Sequence, residues 1–308
     1  MAFGGYNMGI MRLIVCVVIL LAGVELFGKT YPYFPTEHDH LSEISWGLDI
    51  GREIANTFRN PAALMEAERV QGQLEFSYGS FDTQRVQLSG LVPMYPFVIS
   101  IGHDYFVDSD IKETQHDGFL PYISGQFSDA YHVTNMGISF FLDLDLSVGT
   151  VLSHKYRNIK DQAAHAYGID FGVVWRGLQW IELGVYTQNL INTPLSWGTG
   201  KKEELLKKLT IEWVFQLSNT QWVVSTESTL DEIVHYYNIG GEWFIHNNLS
   251  LFGTISIDNH SIESVYQRNI GTILKLTDTL HFKYINKRKL AKQEEMNQQL
   301  IGISVLVL

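Results

Sequence analysis

From residue 71 onward the chain alternates apolar and polar side chains with period two. That is the pattern of strands whose two faces meet different surroundings. Tyr167, Ile169, Phe171, Val173 and Trp175 share one face, with Gly168, Asp170, Gly172 and Arg176 on the other. Leu209, Ile211, Trp213, Phe215 and Leu217 alternate with Thr210, Glu212 and Gln216. Near the C-terminus Ile301, Ile303, Val305 and Val307 oppose Gly302 and Ser304. The pattern predicts strands at 71–80, 86–93, 97–105, 133–142, 146–156, 165–176, 180–189, 208–217, 221–227, 235–245, 249–258, 267–276, 280–286 and 299–308.

A soluble sandwich also alternates, so connection lengths carry the distinction. Short turns at 94–96, 143–145, 177–179, 218–220, 246–248 and 277–279 alternate with long loops at 106–132, 157–164, 190–207, 228–234, 259–266 and 287–298. Only the first hairpin, through 81–85, is short on the long-loop side. Short turns at one rim and long loops at the other are the arrangement of outer-membrane barrels. The predicted fold is therefore all-β, a transmembrane antiparallel β-barrel of about 14 strands. The even count puts both its ends on the short-turn rim. Residues 119–127 are read as loop, because Pro121 and weak alternation argue against a strand. Ahead of the barrel, Asn60 is a good N-cap and Pro61 suits a first helical position. They predict a short helix from Pro61 to about Glu68, packed at the barrel base as a small N-terminal hatch.

Charged residues make up 18% of the chain, below the roughly 25% usual in soluble proteins. Arg12 followed by the apolar run from Leu13 to Val24 predicts a signal peptide over 1–28, because a spanning helix needs about 20 apolar residues. This leaves an N-terminal extension and hatch over 29–70 and the barrel over 71–308. Cys16, the single cysteine, falls in the leader, so no disulfide or thiolate site is expected after cleavage. A net charge of −11 argues against nucleic acid.

Among the eleven histidines, His38-Asp39-His40 is the densest group, but no third imidazole follows at metal-ligand spacing. Ser153 and His154 are adjacent on a strand and so point to opposite faces, which prevents a nucleophile–base pair. No phosphate loop is present. No enzyme activity, metal or cofactor is expected. Asp170, Arg176, Glu182, Glu212, Glu242 and Lys283 fall on inward positions and predict a polar lumen network. Lys201-Lys202, Lys207-Lys208 and Lys287-Arg288-Lys289 fall in predicted outer loops, as solvated tips or as contacts to anionic lipid.

The run Asn60-Pro61-Ala62-Ala63-Leu64 before a patterned barrel resembles the FadL-type superfamily of outer-membrane transport proteins. The strands Asp170–Arg176 and Leu183–Leu190 are similar to its shorter PorV/PorQ-type branch. The resemblance covers roughly residues 50–308. It implies 14 strands, a hatch with Asn60, Pro61 and Ala62 at its base, and hydrophobic compounds leaving sideways into the membrane. The chain departs from the pattern in its shorter length and in ending on Leu308 rather than an aromatic residue. Two functions follow as expectations. One is passage of small hydrophobic molecules through the outer membrane of a Gram-negative-type bacterium, with membrane lipid and a lipophilic small molecule as partners. The other is service as a partner of a protein secretion and surface-attachment system. A simple porin is a third.

Overall fold

The fold is that of a computed structural model, which describes residues 59–67, 69–79, 83–116, 120–178, 180–229, 235–246, 248–258, 265–277, 280–290 and 295–307. The expected signal peptide, most of the N-terminal extension and His38-Asp39-His40 lie outside these residues.

Every predicted strand is present. They are β1 (Gln71–Gly79), β2 (Thr83–Met94), β3 (Phe97–His116), β4 (Pro121–Asp143), β5 (Leu146–Ile159), β6 (Gln162–Leu178) and β7 (Ile181–Asn192). After two short strands, β8 (Leu195–Trp197) and β9 (Lys202–Glu203), come β10 (Lys208–Leu217), β11 (Thr220–Thr229), β12 (His235–His246), β13 (Leu249–Asp258), β14 (Val265–Lys275), β15 (Leu280–Leu290) and β16 (Glu295–Val307). The order of pairing is β5-β4-β3-β2-β1-β16-β15-β14-β13-β12-β11-β10-β7-β6, and β5 also pairs β6. The pairings thus return to their start, and fourteen antiparallel strands form a ring. Closure is what a sheet in lipid requires, since an open edge would leave its backbone N–H and C=O groups unbonded.

Alternation now acquires its physical cause. Leu88, Ile101, Met136, Leu152, Ile255 and Ile270 are exposed on the outer wall, where lipid rather than water would cover them. Their strand neighbours Ser89, Ser100, Asn135, Ser153, Thr254 and Asn269 are buried toward the lumen. Trp180, Trp222 and Trp243 stand on the outer wall within a few residues of the short turns, where an interfacial aromatic girdle belongs.

Three expectations about connections are corrected. Residues 106–132 are not a loop: β3 and β4 run on as a long hairpin, with His116 paired to Pro121. Residues 121–127 are therefore the first part of β4 rather than an extra strand, so the even count survives. Pro121 is tolerated because it opens the strand, where its missing N–H costs no ladder bond. Similarly, 157–164 is mostly strand, as β5 reaches Ile159 and β6 begins at Gln162. The basic clusters are not all loop tips either. Lys208 lies in β10, is buried, and pairs with Glu227 at 2.7 Å. The Lys287-Arg288-Lys289 run lies in β15 opposite Asn269, Arg268 and Gln267. In β3 to β6 and β15 the strand continues past the membrane, where both faces meet water and alternation fades.

Candidate functional site

The predicted helix is a single 3-10 segment, Pro61–Glu66, shorter than expected, lying inside the ring near the short-turn rim. Asn60 caps it, its Oδ1 accepting from Ala62 N at 3.1 Å while Nδ2 donates to the Val173 carbonyl at 3.3 Å. One residue thus starts the hatch and ties it to β6. Ser139 donates to the Pro61 carbonyl, and Ser147 donates to the Ala62 carbonyl at 2.9 Å. Three inward glycines on neighbouring strands make the seat. A Cβ on Gly149 would lie 2.6 Å from the Pro61 carbonyl carbon, and one on Gly172 would lie 2.1 Å from Asn60 Oδ1. One on Gly184 would come 3.1 Å from Asn60 Nδ2. Beyond the cap, Leu64, Met65 and Ala67 pack with Leu91 and Val98. Asn60, Pro61 and Ala62, singled out from sequence, are therefore together and buried. The glycines that seat them escaped notice. Their signal was inward position on three consecutive strands.

Arg59 extends the anchor, its Nη2 bonding Glu212 Oε2 at 2.8 Å. Burial opposes its charge, but Glu212 and Tyr186 outweigh it, so the guanidinium titrates above its ordinary range.

The described contacts place the predicted lumen residues in several parts of the barrel. Arg176 bonds Glu182 at 3.0 Å and Ser147 at 3.3 Å, beside the hatch. Glu212 belongs to Arg59. Glu242 is buried on β12, and Lys283 stands in β15 opposite Ile273 and Gly302. Asp170 serves a different feature. Between the pairs Ile169–Ile191 and Phe171–Thr187, β6 advances two residues and β7 four. The surplus is taken up at Asn189, which has φ 56°. Asn189 N donates to Asp170 Oδ1 at 2.6 Å, and Lys155 Nζ donates to Asn189 Oδ1 at 2.7 Å. Asn189 and Asn192 also donate to the Leu206 and Leu205 carbonyls, at 3.0 and 3.3 Å. Two inserted residues interrupt the ladder here, whereas the other slips in the described pairings are of one.

Above this bulge the chain between β7 and β10 folds back. Its β8 pairs β6, Ala164 with Trp197, and packs Leu195 and Trp197 on Ala164 and Ala166. Beside it opens a cleft of about 640 Å³ with Phe127, Ile159 and Trp197 in its lining and Arg157, Lys160 and Glu203 around them. Arg157 grips Asp129 through two bonds, at 3.1 and 2.6 Å, and lies 4.5 Å from the Tyr131 ring centroid. At the turn, Lys160 bonds Glu113 at 2.8 Å, and that partner raises its pKa. Among the described residues no group of three or more His, Cys, Asp or Glu side chains could hold a metal ion. Ser153 and His154 face opposite ways, as the strand requires: Ser153 is buried toward the lumen, and His154 stacks on His165 outside.

No protein-family model matches the chain. No curated protein matches it in sequence. Solved structures match it in fold. The CymD monoaromatic hydrocarbon channel aligns over 82% of this chain and 91% of its own, with a TM-score of 0.62 and 10% identity. A Pseudomonas aeruginosa FadL homologue aligns over 91% and 99%, with a TM-score of 0.61 and 10% identity. The Pseudomonas putida toluene transporter TodX aligns over 83% and 96%, with a TM-score of 0.60 and 12% identity. The chain has the FadL-type barrel fold.

Proposed function

We propose that this chain is an outer-membrane barrel that admits small hydrophobic molecules, taking them in at the outer cleft and releasing them through the wall at the Asn189 bulge. The observation that carries the reading is the placement of the two-residue slip in the β6–β7 ladder below a cleft in which Phe127, Ile159 and Trp197 stand among charged side chains. The hatch around Asn60 sits against the lumen wall below. The structural neighbours named for hydrocarbon transport share the fold and add support. A polar lumen and a seated hatch fit a sideways exit better than an apolar tunnel to the inner rim or a steadily open porin.

The test is uptake of a radiolabelled monoaromatic hydrocarbon by cells whose intact outer membrane otherwise slows it. Expression of the full chain is expected to raise uptake, and Trp197→Ala is expected to reduce that gain several-fold. Equal uptake with and without the chain would refute the proposal.

A second reading has its own observation. The β3–β4 hairpin runs well past the residues needed to cross a membrane and exposes Leu120, Tyr122 and Ile123 near its tip. A protein partner of the PorV/PorQ kind, in secretion and surface attachment, would find its surface there. Cross-linking from a photoreactive group at position 122 in cells would capture that partner.

A further inference from the structure

Four adjacent strands carry a block of imidazoles and phenols on the membrane-facing wall. In β3, β5 and β6 the same tripeptide form recurs: His103-Asp104-Tyr105, His154-Lys155-Tyr156 and His165-Ala166-Tyr167. The middle residue of each turns inward, so the flanking pair shares the outer face. Register stacks them into two rows. One row is His103, Thr134, His154 and Tyr167, and the other is Tyr105, His132, Tyr156 and His165. The block lies about ten residues up from the short turns, or ~25 Å at the usual strand tilt, at the outer edge of an apolar band. Exposed Ile101, Met136 and Leu152 lie just below it.

Packing would satisfy an aromatic girdle with any ring, but the nitrogens here are arranged more narrowly. His132 Nδ1 lies 3.5 Å from His103 Nε2, and His165 Nδ1 lies 3.4 Å from His154 Nε2. Both pairs thus join one Nδ1 to one Nε2 across a strand diagonal. Two imidazole nitrogens each about 2.0–2.1 Å from a tetrahedral cation stand about 3.3–3.4 Å apart. The His103 ring also has an outer partner, since its Nδ1 lies 2.9 Å from Thr134 Oγ1. In the tautomer where Nδ1–H donates to that hydroxyl, the Nε2 lone pair faces His132, as in a ligand oriented by an outer hydrogen bond. The carboxylates of these strands are elsewhere. Asp104 and Asp129 are held inside by Arg85 and Arg157, and Asp170 by Asn189.

We propose that the two diagonal histidine pairs, His103 with His132 and His154 with His165, are twin open sites for a late first-row divalent cation such as zinc, nickel or copper. Imidazole suits these cations and not magnesium or calcium. Each pair supplies two ligands and leaves the remaining positions to solvent.

The experiment uses the full chain without a histidine tag, folded in detergent, stripped with chelator and dialysed against zinc. Bound metal is counted by mass spectrometry. His132→Gln and His165→Gln are each expected to lose one cation per chain, and the double variant two, with gel mobility before and after heating unchanged. Copper-loaded protein is expected to show stronger imidazole nitrogen couplings in pulsed EPR than the double variant. A double variant that binds as much zinc as the parent, with couplings as strong, overturns the proposal. Histidines outside the block contribute equally to all variants, so the difference is decisive.

Discussion

Replacing Gly149 by alanine tests the seat of the hatch. The new methyl would stand 2.6 Å from the Pro61 carbonyl carbon and 2.8 Å from Ala62 N, both backbone atoms that no side-chain rotation can move aside. To reach ordinary contact the segment must retreat by about 1 Å, because carbon atoms pack at about 3.5–4.0 Å. That movement strains three hydrogen bonds at once: Ser139 to Pro61, Ser147 to Ala62, and Asn60 to Val173. At about 1 kcal/mol net for each, their loss amounts to about 3 kcal/mol, on the order of 100-fold in the equilibrium between seated and unseated hatch. Hydrogen–deuterium exchange of the peptide spanning 60–67, with the protein folded in detergent, reads this directly. Protection is expected to fall by about that factor in Gly149→Ala while the strands keep theirs. Gly90→Ala is the control, because its Cβ would meet nothing nearer than 3.9 Å. Equal protection of the hatch in Gly149→Ala and Gly90→Ala would refute the seat.

Other expectations follow from buried groups. Arg85 and Asp104 form a two-pronged pair at 2.9 and 2.8 Å inside the wall, so Asp104→Ala should cost roughly 3–5 kcal/mol by stranding the guanidinium, and Arg85→Met/Asp104→Leu less. Urea midpoints of the two variants decide it, and a double variant as unstable as the single would count against the argument. Trp197→Ala removes the centre of the outer cap and should lower its local stability by about 3–5 kcal/mol, read as faster exchange over 193–207 with the barrel unchanged. Glu113 raises the Lys160 pKa, so the ion pair at the turn, formed once Glu113 is ionised, is lost only as pH climbs through the raised value. Glu113→Gln should return the Lys160 titration, followed by NMR of the labelled ammonium, toward its ordinary position.

The fourteen strands were legible because lipid and lumen impose opposite demands on successive residues, and each strand writes that conflict as period two. Asn60 and Pro61 were legible for a local reason, since a cap and a fixed φ do not depend on what surrounds them. Where strands leave the membrane the conflict ends, and the extensions of β3, β4 and β15 read as loop. The bulge at Asn189 is an event of pairing between β6 and β7, and neither strand alone records two surplus residues. Gly149, Gly172 and Gly184 were visible as glycines, but a barrel strand gives glycine many reasons to be present. Only the hatch selects these three. The lumen residues illustrate the same limit: sidedness followed from alternation, whereas partnership required knowing that Arg59 reaches Glu212 and that Asp170 receives Asn189.

The contacts around the bulge bear on how a side exit could open. Its hydrogen bonds run in two directions: inward to Lys155 and Asp170, and upward to the Leu205 and Leu206 carbonyls. Those carbonyls belong to the same connecting segment that carries Trp197 into the cleft. A molecule that displaces Trp197 therefore pulls on the segment that holds Asn189 and Asn192 in place. From Ala164, opposite Trp197, to Asp170 is six residues of β6, about 20 Å of strand. Further down, Ser100 presents a buried hydroxyl that no protein group satisfies, and covering it with a lipophile would cost about 1–3 kcal/mol. The short sideways route is thus the cheaper one, and it does not require the hatch to move. Asn192→Ala should then raise hydrocarbon uptake by loosening the bulge. Gly149→Ala, which unseats the hatch, should let ions leak in a planar bilayer without faster hydrocarbon uptake. Uptake that rises with the leak would mean that the molecules travel past the hatch instead.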